Sequence, residues 1–354
     1  MKILSVVGAR PQFIKLAPIV RALNNRADHL TVHTGQHYDE NLSAAIFRDL
    51  SIPPPAINLE VGSGSHAEQT SAMMVPLQNV FINESPDWIL IYGDTNTTVG
   101  AAIVAAKLRI RLAHLEAGLR SGNRNMPEEI NRIVADHLSD LNLAPTKSAM
   151  KNLSREGLES RSALIGDVTL DILNDSMVKI RNNPPLQSWI KLEEDYIIAT
   201  LHREELTSSK KQLAAVLSAM SKINLPVYLA AHPRLKKMLL KFDLLKIVGG
   251  AIQLIPPLGY LELMQAVSQS KGVITDSGGL QKEAYLLSVP CLTIRPETEW
   301  SETLVEGWNQ LVWNDYSLVE SFPQKCSFKA PNLLAFGDGN AADRAVNLLL
   351  NHNK

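Results

Sequence analysis

Short, nearly continuous apolar runs recur along this chain with longer amphipathic stretches between them. That rhythm narrows the folds open to it more than any other feature. The runs fall at residues 3–7, 30–33, 88–92, 112–115, 141–144 and 163–165, then at 196–200, 227–230, 252–255, 272–275 and 290–294. Several lack the polar alternation of a half-exposed strand, as happens when helices cover both faces of a sheet. Helical periodicity fills the gaps, for example over 14–23 and 212–220. Such βαβα alternation predicts an α/β fold with parallel sheets and right-handed crossovers. The polar stretch Asn182-Asn183-Pro184-Pro185 interrupts the series and suits a hinge. At 354 residues the chain also exceeds what one core usually organises. Two domains are therefore expected, 1–180 and 181–354, facing each other across one cleft. A terminal helix over 341–350, after Gly337-Asp338-Gly339, is expected to close the chain and is able to pack back on the first domain.

Composition excludes several classes. The chain is 45% hydrophobic and 20% charged, which is ordinary for a globular protein and rules out wholesale disorder. Thirty-five Lys and Arg against 36 Asp and Glu leave a formal net charge of −1, without the basic excess of nucleic-acid binders. The only cysteines, Cys291 and Cys326, cannot build a disulfide scaffold, and no CxxC spacing offers a cysteine zinc site. No apolar run approaches the ~18 residues of a membrane span, and the opening run is too short for a signal peptide. A cytoplasmic protein without metal or cofactor is the expectation.

Open α/β sheets bind ligands at the carboxyl ends of their strands, so the residues just after each run matter most. The first run leads into Gly8-Ala9-Arg10-Pro11, with Lys15 further on. A glycine turn at a helix start, with two cations, suits a diphosphate, although it also reads as a plain helix start. Asp94 follows the 88–92 run and suits either a helix cap or a site acid. Glu116 ends the 112–115 run, where a charge must be paired or used. Pro127-Glu128-Glu129 suits a helix start, and Glu128 and Arg132 are spaced to pair along that helix. In the second half His202-Arg203 and His232 follow strands, where the histidines could equally be core residues. Ser277-Gly278-Gly279 forms a second candidate phosphate cradle, and Glu283 lies where a carboxylate could bridge ribose hydroxyls. Acids in the first half and glycine-rich helix starts in both fit a nucleotide-diphosphate sugar undergoing acid–base chemistry.

Taken together, Gly8-Ala9-Arg10-Pro11, Thr34-Gly35-Gln36-His37, Gly93-Asp94-Thr95, His114-Leu115-Glu116-Ala117-Gly118-Leu119-Arg120, Pro127-Glu128-Glu129-Ile130-Asn131-Arg132, His202-Arg203-Glu204 and Thr275-Asp276-Ser277-Gly278-Gly279-Leu280-Gln281-Lys282-Glu283-Ala284 occur in this order. The ordered set closely resembles the non-hydrolysing UDP-N-acetylglucosamine 2-epimerase family. The resemblance implies a GT-B fold of two Rossmann-like domains, a UDP-sugar in the interdomain cleft, and a homodimer. It implies inversion at sugar carbon 2 by anti elimination of UDP, a 2-acetamidoglucal intermediate and syn re-addition, with no hydride transfer and no nicotinamide. It assigns catalytic roles to Asp94, Glu116 and Glu128 and places His202 at the site. It places Arg10, Lys15, Ser277, Gly278 and Gly279 by UDP and Glu283 by the ribose. It adds Gln36, His37, Arg132, Arg203 and His232 as substrate-binding positions.

Two departures from the family pattern are visible. Glu297-Thr298-Glu299-Trp300 stands where many members carry Thr-Glu-Arg-Pro, a variant resembling members that act on modified UDP-sugars such as the 2,3-diacetamido-glucuronate. Gln36-His37-Tyr38-Asp39-Glu40-Asn41 departs from the Gln-His-x-x-Met pattern of members with an allosteric substrate site, which argues against such regulation here. Competing readings are a hydrolysing relative releasing free N-acetylmannosamine, a GT-B glycosyltransferase, and a non-catalytic nucleotide-sugar sensor.

Overall fold

A computed structural model describes residues 1–35, 46–185, 190–191, 194–323 and 331–352. Two compact units divide the chain: Met1–Asp175 with Leu333–Lys354, and Ser176–Asn332.

The first unit is built on a seven-stranded sheet. Its strands are β1 (Lys2–Val7), β2 (Asp28–His33), β3 (Ile57–Asn58), β4 (Trp88–Tyr92), β5 (Arg111–Leu115), β6 (Leu141–Ala144) and β7 (Ser162–Leu164). They lie in the order β3-β2-β1-β4-β5-β6-β7, every pair parallel. All five residues of β4 are buried, which explains its unbroken apolar run. One layer of the core joins Leu4, Val6, Ile89 and Ile91 of the sheet to Met73, Leu77 and Phe81 of the helix His66–Glu84 and to Ala101, Ala102 and Ala105 of Asn96–Leu108. Each large side chain removed from water there stabilises the unit by about 1.5–3 kcal/mol before entropy is counted.

Strand order reverses between β1 and β4. The chain leaves the two strands in opposite directions, so their carboxyl ends flank a crevice where such sheets hold ligands. Buried Gln12 joins the two ends. Its Oε1 accepts from the N–H groups of Gly8 (2.8 Å) and Ala9 (3.1 Å), and its Nε2 donates to the Tyr92 carbonyl (2.9 Å).

The terminal helix Ala341–Asn351 belongs to this unit and packs on the helix Arg10–Leu23. The N–H groups of Ala341 and Ala342 donate to the Asp171 carboxylate at 3.3 and 2.9 Å, which caps the helix from a neighbouring element.

The second unit carries β8 (Ile197–Thr200), β9 (Val227–Ala230), β10 (Ile252–Ile255), β11 (Gly272–Thr275), β12 (Cys291–Thr293) and β13 (Asn309–Leu311). Their order is β10-β9-β8-β11-β12-β13, again all parallel, with its reversal between β8 and β11. Leu213, Val216, Leu217 and Met220 of the helix Lys210–Met220 and Leu235 and Leu239 of Pro233–Lys241 cover one face.

Two strands were not foreseen in the sequence, β3 and β13. They are two and three residues long and lie at outer edges of their sheets. Their short, partly polar sequences carry no periodic signal, and pairing with a formed neighbour is what makes them strands. Among the described residues no helix is long and apolar enough to cross a membrane.

Candidate active site

In the first unit Asp94 follows β4, Glu116 follows the adjacent β5, and Glu128 lies in the first turn of the helix Pro127–Leu138. β4 ends at Tyr92, and Gly93, with φ of +61°, turns the chain sharply and sets Asp94 just beyond the strand. The helix Pro127–Leu138 brings Arg132 to it. Arg132 Nε and Nη2 donate to Asp94 Oδ2 at 3.0 and 2.6 Å, and Asn131 Nδ2 donates to the Asp94 carbonyl at 2.9 Å. Arg132 is only 2% exposed, so this is a buried fork rather than the exposed helical pair with Glu128 that the spacing allowed. Its Nη1 goes instead to Glu129, at 2.8 Å.

Glu128 and Glu129 are adjacent and differ completely in setting. Glu129 is buried and accepts from Ser121 N–H (2.9 Å), Gly122 N–H (3.0 Å) and the Ser121 hydroxyl (3.1 Å), pinning the loop before the helix. Burial pushes its carboxyl up, but those amides and Arg132 outweigh it and hold the group below the ordinary carboxylate value. Glu128 is half-buried and has no hydrogen-bond or ion-pair partner among the described residues.

Glu116 sits directly after β5 in the left-handed region, φ +71°. A non-glycine residue there costs about 1–2 kcal/mol unless its surroundings hold it. Its own N–H and that of Ala117 both donate to the Leu143 carbonyl at 3.1 Å. Its carboxylate pairs with Lys15 Nζ, which comes from the first helix. A Cβ at Gly93 would lie 3.0 Å from that Nζ and 3.5 Å from Glu116 Oε1, so a larger residue would strain φ and shift the ammonium by a few tenths of an ångström. Arg10 opens the same helix, half-buried, immediately after the Gly8-Ala9 turn. Gln36 and His37 lie outside the described residues.

In the second unit the predicted residues flank the β8–β11 reversal. Asp276, buried at the end of β11, accepts from His202 N–H (2.8 Å) and Arg203 N–H (2.8 Å), and the His202 ring Nδ1 lies 3.1 Å from it. Burial raises the Asp276 carboxyl, but the His202 charge and these hydrogen bonds hold it below its ordinary value. His202 is exposed to 44%, so it is not a core histidine. His232 is exposed too and caps the helix Pro233–Lys241, its Nδ1 accepting from Arg234 N–H at 3.3 Å. The two imidazole centroids are 6.4 Å apart. Among the described residues no cluster of three or more His, Cys, Asp or Glu side chains is arranged to hold a metal ion.

Ser277 caps the helix Gly278–Leu286, which presents the backbone N–H groups of Gly278 and Gly279 at its start. A Cβ on Gly278 would collide with the Glu299 carboxylate, which is paired with Arg295 at 3.0 Å. Glu283 lies buried further along this helix. Thr298 donates to Gln281 Oε1 at 2.7 Å, and the Lys282 ammonium sits 3.8 Å from the centroid of the buried Trp300 ring. The unusual 297–300 run thus packs against the cradle helix.

Several supporting residues were not singled out from sequence: Gln12, His114, Glu129, Asp136, Asp276 and Arg295. Asp276 and Glu129 left a readable sign, an acid at a strand end and an acid in the first helical turn. His114 and Asp136 declare themselves only through each other, 22 residues apart, and Gln12 through its reach to Tyr92 as well as to nearby Gly8 and Ala9.

Two parallel α/β units, each with polar turns at its strand-order reversal, define an enzyme of the GT-B fold. The chain matches the UDP-N-acetylglucosamine 2-epimerase family profile over residues 21–350, and it belongs to that family. A UDP-N-acetylglucosamine 2-epimerase homolog of Methanococcus maripaludis is 41% identical over 356 residues, covering 99% of this chain and 100% of that one. The UDP-2,3-diacetamido-2,3-dideoxy-D-glucuronate 2-epimerase of Pseudomonas aeruginosa is 41% identical over 317 residues, 88% of each chain. The crystal structure of Methanocaldococcus jannaschii UDP-GlcNAc 2-epimerase with UDP-GlcNAc and UDP matches with a TM-score of 0.91 and 38% identity, over 99% of both chains.

Proposed function

We propose that this chain is a non-hydrolysing UDP-N-acetylglucosamine 2-epimerase, an isomerase that inverts carbon 2 of a UDP-linked 2-acetamido sugar. The observation that carries the proposal is the placement of acids on neighbouring elements: Asp94 after β4, Glu116 after the adjacent β5, and Glu128 on the helix whose Arg132 clasps Asp94. The first unit is assigned the three carboxylates with Arg10 and Lys15, and the second unit His202 and the Ser277-Gly278-Gly279 grip on UDP.

A carboxylate removes the carbon 2 proton. The C–H electron pair becomes the C1=C2 double bond as the C1–O bond breaks and its electrons leave on the UDP oxygen. UDP then re-adds to C1 of the 2-acetamidoglucal, and the double-bond pair takes a proton at carbon 2 from the opposite face. The proton is weakly acidic, so positioned acid–base groups are required, and inversion requires them on both faces. Asp94, Glu116, Glu128 and His202 are the groups assigned to this work. Charge on the departing UDP calls for cations and N–H dipoles already in place. Arg10, Lys15 and the Ser277-Gly278-Gly279 turn are assigned to it, with Glu283 on the ribose. Arg132, Arg203 and His232 complete the binding set, with Gln36 and His37.

The substrate is UDP-GlcNAc or a modified relative such as the 2,3-diacetamido-glucuronate. The Glu297-Thr298-Glu299-Trp300 run supports the modified sugar, whereas the 41% identity to the Pseudomonas enzyme is matched by the 41% identity to the Methanococcus UDP-N-acetylglucosamine 2-epimerase homolog. Incubation with a panel of UDP-sugars, with and without a 3-acetamido group and a carbon 6 carboxylate, followed by NMR of the products, tests the proposal. A nucleotide-bound carbon 2 epimer is expected. Free N-acetylmannosamine would establish the hydrolysing alternative, and transfer of the sugar to an acceptor would establish a glycosyltransferase.

The protein is placed in the cytoplasm, without nucleic-acid or membrane partners, as a homodimer. Val75 and Ile82, 66% and 54% exposed on the helix His66–Glu84, support a subunit contact there. Sedimentation of the full chain should show twice the monomer mass.

A further inference from the structure

The first unit also holds a charged cluster centred on two fully buried side chains. His114 on β5 and Asp136 on the helix Pro127–Leu138 are both 0% exposed. His114 Nδ1 donates to Asp136 Oδ1 at 2.7 Å, and its Nε2 donates to the Gly93 carbonyl, also at 2.7 Å. The second Asp136 oxygen accepts from Gly118 N–H at 3.0 Å and meets Arg120 Nη1 at 2.7 Å. Arg120 forks onto Glu156 with its other nitrogens, Nε to Oε1 at 2.8 Å and Nη2 to Oε2 at 2.7 Å. Burial pushes the Asp136 carboxyl up, but the His114 hydrogen bond and charge, with Arg120, hold it below the ordinary value.

Asp136 and its partner His114 bond to the segments that carry the proposed acids. Gly93 immediately precedes Asp94, Gly118 follows Glu116 by two residues, and Asp136 rides on the helix that opens with Glu128. We infer that Asp136, acting through His114 and Gly118, is the positioning residue that fixes Asp94, Glu116 and Glu128 relative to one another. The inference rests on the epimerase reading above.

Two arguments favour positioning over simple stabilisation. A buried ionic cluster is a poor source of stability, since apolar residues of similar volume often do as well or better. One turn beside it also needs external restraint: Glu116 sits at φ +71°, a conformation that a non-glycine residue keeps where neighbours over-determine it. The Gly93 tie runs through a side chain of the adjacent strand, the Gly118 tie is direct, and the helix is reached through its own residue. One carboxylate therefore sets three distances that proton transfer needs held together.

The test is Asp136→Asn in the full chain, which keeps the volume and loses the charge. UDP binding by calorimetry reports the folded fraction. Turnover is measured with whichever UDP-sugar of the panel the unmodified chain converts. At full UDP stoichiometry, kcat should fall about 100-fold while KM and UDP affinity stay within about threefold. A kcat within about threefold of the unmodified chain overturns the inference. So does activity lost only in proportion to UDP stoichiometry, which is the mark of a merely structural role. If the asparagine variant does not fold, His114→Gln carries the same comparison with the same expected split and the same overturning results. If the unmodified chain converts no sugar, the epimerase reading fails. Proton NMR then decides the cluster alone: a low-field Nδ1 proton lost in His114→Gln supports the His114–Asp136 tie, and its absence from the unmodified chain overturns it.

Discussion

Replacing two neighbouring glutamates one at a time separates the architecture of the first unit from its chemistry. Glu129→Gln leaves Arg132 without one buried partner and puts an amide where Ser121 N–H, Gly122 N–H and the Ser121 hydroxyl all donate to a carboxylate. An amide offers a single oxygen, so at least one of these donors goes unmet. Breaking a buried ion pair from one side costs about 3–5 kcal/mol. The neutral hydrogen bonds that glutamine can keep bring the expected loss down to about 3 kcal/mol. At about 2–4 °C per kcal/mol for a unit of this size, Tm should fall by roughly 6–12 °C. Glu128→Gln removes no described partner, and its stability should stay within about 0.5 kcal/mol of the unmodified chain. Its turnover should nevertheless fall by about 100-fold or more, as expected when an acid–base group is removed. Thermal unfolding followed by circular dichroism and initial rates from product NMR measure both quantities on the same samples. Equal Tm losses for the two variants would refute the contrast between them. An active Glu128→Gln variant would remove Glu128 from the catalytic set.

Gly93→Ala should cost about 1–2 kcal/mol from the left-handed backbone alone and displace the Lys15 ammonium slightly from its place on Glu116. A kcat loss of about tenfold, seen in steady-state rates, should therefore accompany a small Tm change. Arg10→Ala should weaken UDP binding in calorimetry, and an unaltered UDP affinity would contradict its place at the diphosphate. Stability should also decline in acid. Burial lowers the His29 ring from 6.5 to about 4, although Asp28 opposes it, so the fold holds this ring neutral. Its contribution is complete above pH 6.5 and is lost as pH falls towards 4, by ~3 kcal/mol at most. Denaturant titrations between those pH values should show the decline, and His29→Gln should flatten it. The carboxyls of Glu129, Asp136 and Asp276, held low in the fold, add a further loss as pH falls below the ordinary carboxylate range.

What the sequence disclosed and what it concealed follow from the range of the interactions. Strands covered on both faces must be apolar throughout, so β1, β4 and β11 were plain in the chain, as were the turns that follow them. Edge strands β3 and β13 owe their form to a neighbour and left no mark. Glu128 and Arg132 have the spacing of a helical pair, yet Arg132 turns inward to Asp94, 38 residues away in sequence. Which of Glu128 and Glu129 faces the interior depends on how the helix is seated, and periodicity does not fix that to one residue. His114 and Asp136 looked like a strand residue and a helix residue, and only the fold reveals that each completes the other. The seven ordered motifs therefore exposed the polar residues near the strand ends far better than the buried residues that hold them.

The most direct trial of the catalytic proposal is solvent exchange at carbon 2. The full chain is incubated in D2O with the panel of UDP-sugars, and recovered nucleotide sugars are analysed by NMR and mass spectrometry. Deuterium at carbon 2 of both epimers, each still bound to UDP, is the predicted result. Recovery of every sugar with its original proton in place would contradict it.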